Sequence, residues 1–519
     1  MRVLFLNPPF LPRYSRSQRS PGVIRSGTLY YPLWLAYATG MVEREGFDTR
    51  LVDCPANGMD DDAVLSLIRS WQPEIVFIDT STPSAESDLD LAQTIQRQFP
   101  ETWVFPVGTH VTATYEETLR TYPDLRGVCL GEYDETVMEL CKRKARSEDL
   151  VGTPGTAIVN PTPTLSGQGR SNETGTINTT LTLPNLGEGS SDFSPQIGGN
   201  EEGIDLVVQH RDKIKDLDSL PWVSQVYRKH LRIEDYFYSI TRHPVITIIT
   251  GRGCPFHCMF CLYPQVMHGH QYRTRSPQSV AGEFEYIRQE IPSVREVFIE
   301  DDTFTVDKNR TRAICEELIR SGNRLPWTAN ARTDVDLETL SIMKRAGCRL
   351  LCVGFESADN EVLKGMHKGQ NSDRGICFRE DARRAGIMIH GCFLLGGPGE
   401  TRESLETTFQ YATKLSCDTA QFFPIMVYPG TAAYQWAKEN NFLHASGYRD
   451  WLNETGQHRC LIDTPDLSAK ELMAFCDEAR RRYYLTPRYF LQMTRTLIRH
   501  PGETKRVFMA FRRFARHLF

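Results

Sequence analysis

At 519 residues the chain is longer than one hydrophobic core supports, so two or three domains are expected. Its hydrophobic fraction of 40% and charged fraction of 24% are those of an ordinary globular protein, and its apolar runs stay short of the roughly 18 residues that cross a bilayer. A net charge of −5 argues against a general nucleic-acid binder, and no specific nucleic-acid partner is expected.

The opening "MRVLFLNPPF" lacks the charged segment and small-residue cleavage site of a signal peptide, so the expected location is cytoplasmic. In a reducing compartment the 14 cysteines are too sparse and unpatterned for a disulfide framework. Cys315, Cys348, Cys352 and Cys392 fall in apolar helix or strand patterns and read as small buried hydrophobes.

Residues 1–145 alternate strand-like runs ("RVLFLN", "TRLVD", "IVFIDT", "WVFPVG", "GVCL") with helical ones ("LWLAYATGMVEREG", "DDAVLSLIRSW", "ESDLDLAQTIQRQF", "YEETLRTYP"). Near-continuous apolar strands joined by helices predict a doubly wound parallel sheet of the Rossmann or flavodoxin type. Ligands of such sheets bind at the carboxyl ends of the strands, where the loops here read "NPPF", "STPS", "GTH" and "GEYDET". Residues 150–204 turn to Gly, Ser, Thr, Asn and Pro, too poor in apolar groups to offset ordering entropy, and read as a disordered insertion. Asn-x-Thr triplets at Asn172 and Asn178 mimic glycosylation acceptors, but a cytoplasmic location removes that meaning.

A connector over 205–240 leads to a second alternation over 241–440, with strands "VITIIT", "EVFIED", "WTANAR", "LLCVGFE", "IMIHGCFLL" and "AQFFPIMVY". Six βα units in order predict a partial (β/α)6 barrel of the TIM type, with its chemistry at the strand carboxyl ends. Directly after the first of these strands stands "GRGCPFHCMFCLYP", which gathers Cys254, Cys258 and Cys261 in eight residues. Gly251, Gly253 and Pro255 make it a loop and not a buried helix face. No second Cys or His pair follows at zinc-site spacing, and His257 is too close in sequence to share one ion with its neighbours. Three thiolates also suit an iron–sulfur cubane with one iron left open.

Cys-x3-Cys-x-aromatic-Cys after a first barrel strand, with Phe260 as the aromatic, resembles the signature of the radical S-adenosylmethionine (SAM) superfamily. The resemblance implies that Cys254, Cys258 and Cys261 hold a [4Fe-4S] cluster whose open iron chelates SAM. An electron from an external flavodoxin- or ferredoxin-type donor would then cleave SAM to methionine and a 5'-deoxyadenosyl radical. "EDDTFT" (Asp301, Asp302), "NARTD" (Asn330, Arg332), "GFES" (Glu356, Ser357) and "LLGGPGET" (Gly396, Gly397, Gly399) stand after successive strands, where the superfamily grips SAM. Glu356 would accept hydrogen bonds from ribose, Arg332 would pair with the methionyl carboxylate, and the glycines would let backbone approach adenine or substrate. Tyr263, Gln265, His268 and Tyr428 are candidates to line a substrate pocket.

"LFLNPP", "YPLWLAYATGMVEREG", "VGTHVTA" and "LGEYDET" likewise resemble the cobalamin-binding domain that precedes the barrel in one radical SAM class. The resemblance implies cobalamin contacts at Thr82, Gly108, His110, Gly131 and Glu132. Asp-x-His-x-x-Gly is missing and His110 reads as loop structure, so no histidine is expected below cobalt. Only Cys54, Cys129 and Cys141 occur in this region, too few for the extra cluster of methylthiotransferase-like proteins. The implied activity is methyl transfer to an unactivated carbon of a small-molecule or lipid substrate. The alternatives are a radical cyclisation, dehydration or rearrangement with non-methylating cobalamin, and a non-catalytic cobalamin or SAM sensor. Residues 441–519 read as helical and increasingly basic, with Phe508, Phe511, Phe514 and Leu518 at helical spacing. That tail reads as a cap on the barrel or as a peripheral contact with an anionic membrane.

Overall fold

The structure is a computed structural model that describes residues 1–160, 196–198, 206–504 and 506–509. The first four strands, β1 (Arg2–Asn7), β2 (Asp48–Asp53), β3 (Ile75–Thr80) and β4 (Trp103–Gly108), form a parallel sheet in the order β2-β1-β3-β4. Alternation along β1 and β3 splits their side chains between two cores. Val3, Phe5, Ile75 and Phe77 pack with the helices Leu33–Arg44 and Asp134–Ala145, while Leu4, Leu6, Val76 and Ile78 meet Val64, Ile68, Leu89 and Ile95. Both faces are therefore covered, which is why the strands read as unbroken apolar runs.

The fifth expected strand does not extend this sheet. β5 (Gly127–Cys129) pairs antiparallel with β6 (Thr156–Val159) in a four-stranded sheet that also holds β7 (Gln196–Gly198) and β8 (Leu206–Gln209), in the order β5-β6-β8-β7. The polar insertion is correspondingly shorter than 150–204. Thr156, Ala157 and Ile158 are buried and β-paired, because "TAIV" on one flank and "LVVQ" on the other supply each other with ladder partners. Most of the remaining insertion, Asn172 and Asn178 included, lies outside the described residues.

The second sheet begins with β9 (Val245–Ile248). A short hairpin follows, β10 (Gly251–Arg252) with β11 (Arg273–Thr274), and brackets the cysteine loop. β12 (Glu296–Ile299), β13 (Trp327–Ala331), β14 (Cys348–Gly354), β15 (Met388–Leu395) and β16 (Thr419–Pro424) complete six all-parallel strands in the order β16-β15-β14-β13-β12-β9. This is the expected partial barrel, with helices between successive strands. At the amino ends of its strands Arg349 bridges Glu296 (2.9 Å) and Glu503 (3.1 Å). Glu503, the one acid between Arg480 and Phe519, is thus buried as a plug on the barrel floor.

Residues 441–468, expected as helical, form an irregular segment whose one helical piece is the short 3-10 turn Tyr448–Trp451, with the bridges Leu443↔Ile462 and Leu452↔His458. The helices Ala469–Tyr484 and Pro487–Arg499 follow, each started by a side-chain cap, from Ser468 and Thr486. Phe511, Phe514 and Leu518 lie outside the described residues.

Candidate active site

The two parallel sheets turn the carboxyl ends of their strands toward a shared seam, and the cysteine loop lies in it. Backbone and side-chain contacts fold the loop tightly. The Gln265 amide donates to the carbonyls of Cys258, Met259 and Cys261 (3.3, 3.1 and 2.8 Å), and its oxygen accepts from Ala432 N–H at 2.8 Å. Gln265, expected in the substrate pocket, thus holds the loop. Met259 N–H donates to Met366 O (3.1 Å), and His270 Nδ1 meets Cys254 O at 3.0 Å. Gly253 sits at φ +84°, where a Cβ would lie 2.2 Å from Gln271 O, so the turn into Cys254 requires glycine.

Cys254 and Cys258 are buried and Cys261 half-buried. Three thiols set in one loop suit an iron–sulfur cluster that leaves one iron open.

On the barrel side, Glu356 and Arg332 are buried and close to the loop. Glu356 is held at φ +62°, a strained conformation for a carboxylate side chain, and pairs with Lys368 Nζ at 2.7 Å. Burial works against charge on Lys368, but Glu356 and the Cys258 thiol outweigh it and hold its pKa above the ordinary value. Arg332 stacks its guanidinium 3.6 Å from the Phe256 ring centroid and donates to Lys368 O at 2.8 Å, while its Nε has no partner among the described residues. A buried guanidinium with a spare donor suits a carboxylate ligand such as that of SAM. Phe260 is partly buried, with Lys368 Nζ 5.9 Å from its ring.

Other expected SAM contacts have structural duties. Asp301 caps Thr250 through both its amide and its hydroxyl (2.5 Å each), and Asn330 donates to Asp301 O. Ser357 Oγ is bonded to Thr408 Oγ1 at 3.1 Å. Side chains on Gly396 and Gly397 would strike Leu472 and Met366, each at 2.3 Å. These two glycines let the Leu472 and Met366 side chains pack closely against the loop after β15. Asp302 meets His268 Nδ1 at 3.1 Å and Arg19 at 3.9 Å. Burial would raise its pKa, yet His268 and Arg19 hold it below the ordinary carboxylate range.

Across the seam, Thr82 lies in a buried turn after β3, and Gly108 ends β4 at φ +107°, pressed against Thr80 O and Asp79 Oδ1. His110 is not in a loop. It opens the helix Thr109–Thr121, is buried edge-on to Tyr448 at 4.5 Å, and burial pushes its pKa down to about 3, so its imidazole is neutral. His110 Nδ1 and Tyr133 Oη have no partner among the described residues. Unpaired buried polar atoms at this sheet end fit an amide-rich ligand such as cobalamin. Gly131 sits at φ +61° with its N–H donated to Thr112 Oγ1. Glu132 is spent on Arg273 Nη1 (2.8 Å), which ties the first domain to the hairpin of the cysteine loop. Arg252 makes a parallel tie to Asp134. Tyr263, His268 and Tyr428 are buried in this seam, and Tyr263 Oη, His268 Nε2 and Tyr428 Oη have no partner among the described residues.

The segment after β1 was missed at the level of sequence. Arg16 bonds Asn7, Pro8 O and Asp88 at the switch point between β1 and β3, filling the crevice where such sheets bind ligands. Three residues on, Arg19 reaches the barrel, donating to Glu300 (2.8 Å) and Asp301 O (2.9 Å). The cluster of arginines in "RYSRSQRSPGVIRSG" was the available signal. Lys368 had none, because the helix Asn360–Gly365 intervenes between it and Glu356.

Residues 248–412 match the Radical SAM superfamily, and residues 19–141 match the B12 binding domain. The chain is 28% identical over 471 residues, 90% of each chain, to an uncharacterised methyltransferase of Pyrococcus horikoshii. It is 25% identical to the anaerobic magnesium-protoporphyrin IX monomethyl ester cyclase of Rubrivivax gelatinosus, over 84% of this chain and 70% of that one. Its fold is similar to that of the radical S-adenosylmethionine methyltransferase TsrM of Kitasatospora setae, with a TM-score of 0.63 at 18% identity, covering 92% of this chain and 89% of the other. With both matches in the expected order and together covering more than half its length, the chain belongs to the radical SAM superfamily, as a member with an amino-terminal B12-binding domain.

Proposed function

We propose that this enzyme methylates an unactivated carbon, using a cluster held by Cys254, Cys258 and Cys261, SAM, and cobalamin carried at the ends of β3 and β4. The observation that carries the reading is the seam itself: the cysteine loop is tied to the barrel through Met366 and to the B12-binding domain through Arg252 and Arg273. When bound, the cluster supplies the electron that cleaves SAM and cobalamin supplies a methyl carrier. Arg332 offers its spare donor to the methionyl carboxylate, and Glu356, held by Lys368, accepts from ribose hydroxyls. Thr82, Gly108, His110 and Gly131 support the corrin, with neutral His110 placed to hydrogen-bond and not to repel. The burial of Tyr263, His268 and Tyr428 keeps bulk water out of the seam. An external flavodoxin- or ferredoxin-type protein supplies the electron.

The test uses SAM labelled in its methyl group, with reductant and no added substrate. Label recovered with the corrin, together with deoxyadenosine, is the expected result. Deoxyadenosine with no label on the corrin refutes methyl transfer and favours a cyclisation or rearrangement, to which the similarity with the Rubrivivax cyclase points. Absence of deoxyadenosine refutes both and leaves a sensor.

The tail supports a lipid-side substrate. Leu485, Phe490, Leu491, Ile498 and Phe508 are large apolar residues left exposed, beside Arg488, Arg495 and Arg499. No described helix is long and apolar enough to cross a membrane, and this one suits lying on an anionic surface. Co-sedimentation with phosphatidylglycerol vesicles but not phosphatidylcholine vesicles, lost in Phe490→Glu with Ile498→Glu, is expected. Equal recovery with and without vesicles refutes it.

A further inference from the structure

A second group of metal-binding side chains stands in the barrel, apart from the cysteine loop. Phe355, directly after β14, and Phe393 on β15 face the covering helices, with ring centroids 5.8 Å apart and Tyr411 beside both. Alternation turns Cys352, His390 and Cys392 to the opposite face, the lumen. The register sets Cys352 beside His390 and Gly354 beside Cys392. The two cysteines, expected as buried hydrophobes, are only half-buried, and their sulfurs lie 3.6 Å apart. One ring nitrogen of His390 joins them so that all three ligand atoms fall within 4.8 Å of one another.

The spacing has a chemical meaning. Two zinc–sulfur bonds of about 2.3 Å at the tetrahedral angle put the sulfurs roughly 3.8 Å apart. The observed separation needs almost no movement to meet that. His390 Nδ1 lies 2.8 Å from Thr419 Oγ1, an outer contact of the kind that fixes the ring of a metal-bound histidine. The nearest cations do not repel a further one unopposed: Lys368 is paired with Glu356 and Arg506 with Glu503.

We propose that Cys352, His390 and Cys392 bind a thiophilic divalent cation, zinc first among them, with three protein ligands and an open position toward the lumen. Three ligands are the pattern of catalytic and not structural zinc. The site adjoins the SAM-facing carboxylate, since the Glu356 N–H donates to Cys392 O at 3.1 Å. A metal there would take an oxygen, nitrogen or sulfur atom of a substrate in the lumen and orient it. The inference stands independently of the methyl-transfer reading.

The experiment equilibrates cluster-loaded, anaerobic full-length protein with Zn2+, then counts zinc and iron by mass spectrometry and measures zinc affinity against a chromophoric chelator. About one zinc per chain is expected, with X-ray absorption giving two sulfurs at about 2.3 Å. Cys392→Ser and His390→Ala should each weaken zinc binding at least tenfold while leaving iron content unchanged. Iron content reports folding, and Cys352→Ser replaces either variant that loses it. Wild-type protein that binds no stoichiometric zinc overturns the proposal whatever the variants do. So does zinc bound equally by wild type and variants, or a Cys352–Cys392 disulfide recovered from the anaerobic protein.

Discussion

Replacing Asp134 with Ala tests whether the B12-binding domain holds the cysteine loop in place. Asp134 accepts from both terminal nitrogens of Arg252, at 2.7 and 3.0 Å, and both side chains are almost wholly out of water. Removing one partner of such a pair strands the other charge, at about 3–5 kcal/mol. Glu132 remains 3.9 Å from Arg252 but is already bound to Arg273, so its compensation is partial and the lower end, about 3 kcal/mol, is expected. Arg252 lies against Trp34, 5.3 Å from its ring, so tryptophan fluorescence during urea unfolding reports the event directly. Arg252 is also two residues from Cys254, so iron bound after reconstitution should fall in the same variant. The double variant Asp134→Leu with Arg252→Met, which buries no charge, should recover most of the stability. A loss below about 1 kcal/mol for Asp134→Ala, or a double variant as unstable as the single one, would refute the reasoning.

Three further outcomes follow from the same seam. Lys368→Met leaves Glu356 buried without its cation and should retain iron while cutting SAM affinity by at least about tenfold, or ~1.4 kcal/mol, in calorimetry; unchanged affinity removes Lys368 from the site. Gly253→Ala should cost at least about 1–2 kcal/mol from left-handed backbone alone, and the clash with Gln271 O should lower iron loading with circular dichroism unchanged; normal loading would contradict the turn. Burial pushes Glu400 up to about 7, against hydrogen bonds from Ser404 and the Gly396 amide. With its folded pKa above its ordinary 4.5, its contribution is complete below pH 4.5 and lost as pH rises through 7, by up to about 3 kcal/mol. Glu400→Gln should therefore gain melting temperature relative to wild type between pH 5 and 8.5, and a difference constant with pH would refute this.

What was legible in the chain follows from physics that acts locally. Alternation and unbroken β-branched runs report burial on one or both faces, so β1 to β4 and the six barrel strands could be read directly. Their limits came where pairing decides: "GVCL" has the composition of a parallel strand, but its partner is "TAIV", some thirty residues on. "GTH" read as loop, yet Gly108 at φ +107° turns the chain straight into a helix there.

By itself, the sequence determined the cofactor chemistry: three cysteines in one glycine-bounded loop after a strand, and the order of polar motifs after the strands that follow. Tertiary structure alone decided which partners those residues take within the protein. Asp301 bonds Thr250, Ser357 bonds Thr408, Gln265 folds the cysteine loop and Glu132 ties the two domains, whereas Arg332 keeps a spare donor. It also brought Arg19, Lys368 and the Cys352, His390 and Cys392 group together across wide gaps in sequence. The reason is that a side chain's type sets what it can bind, while its availability depends on which distant groups the fold has already placed against it.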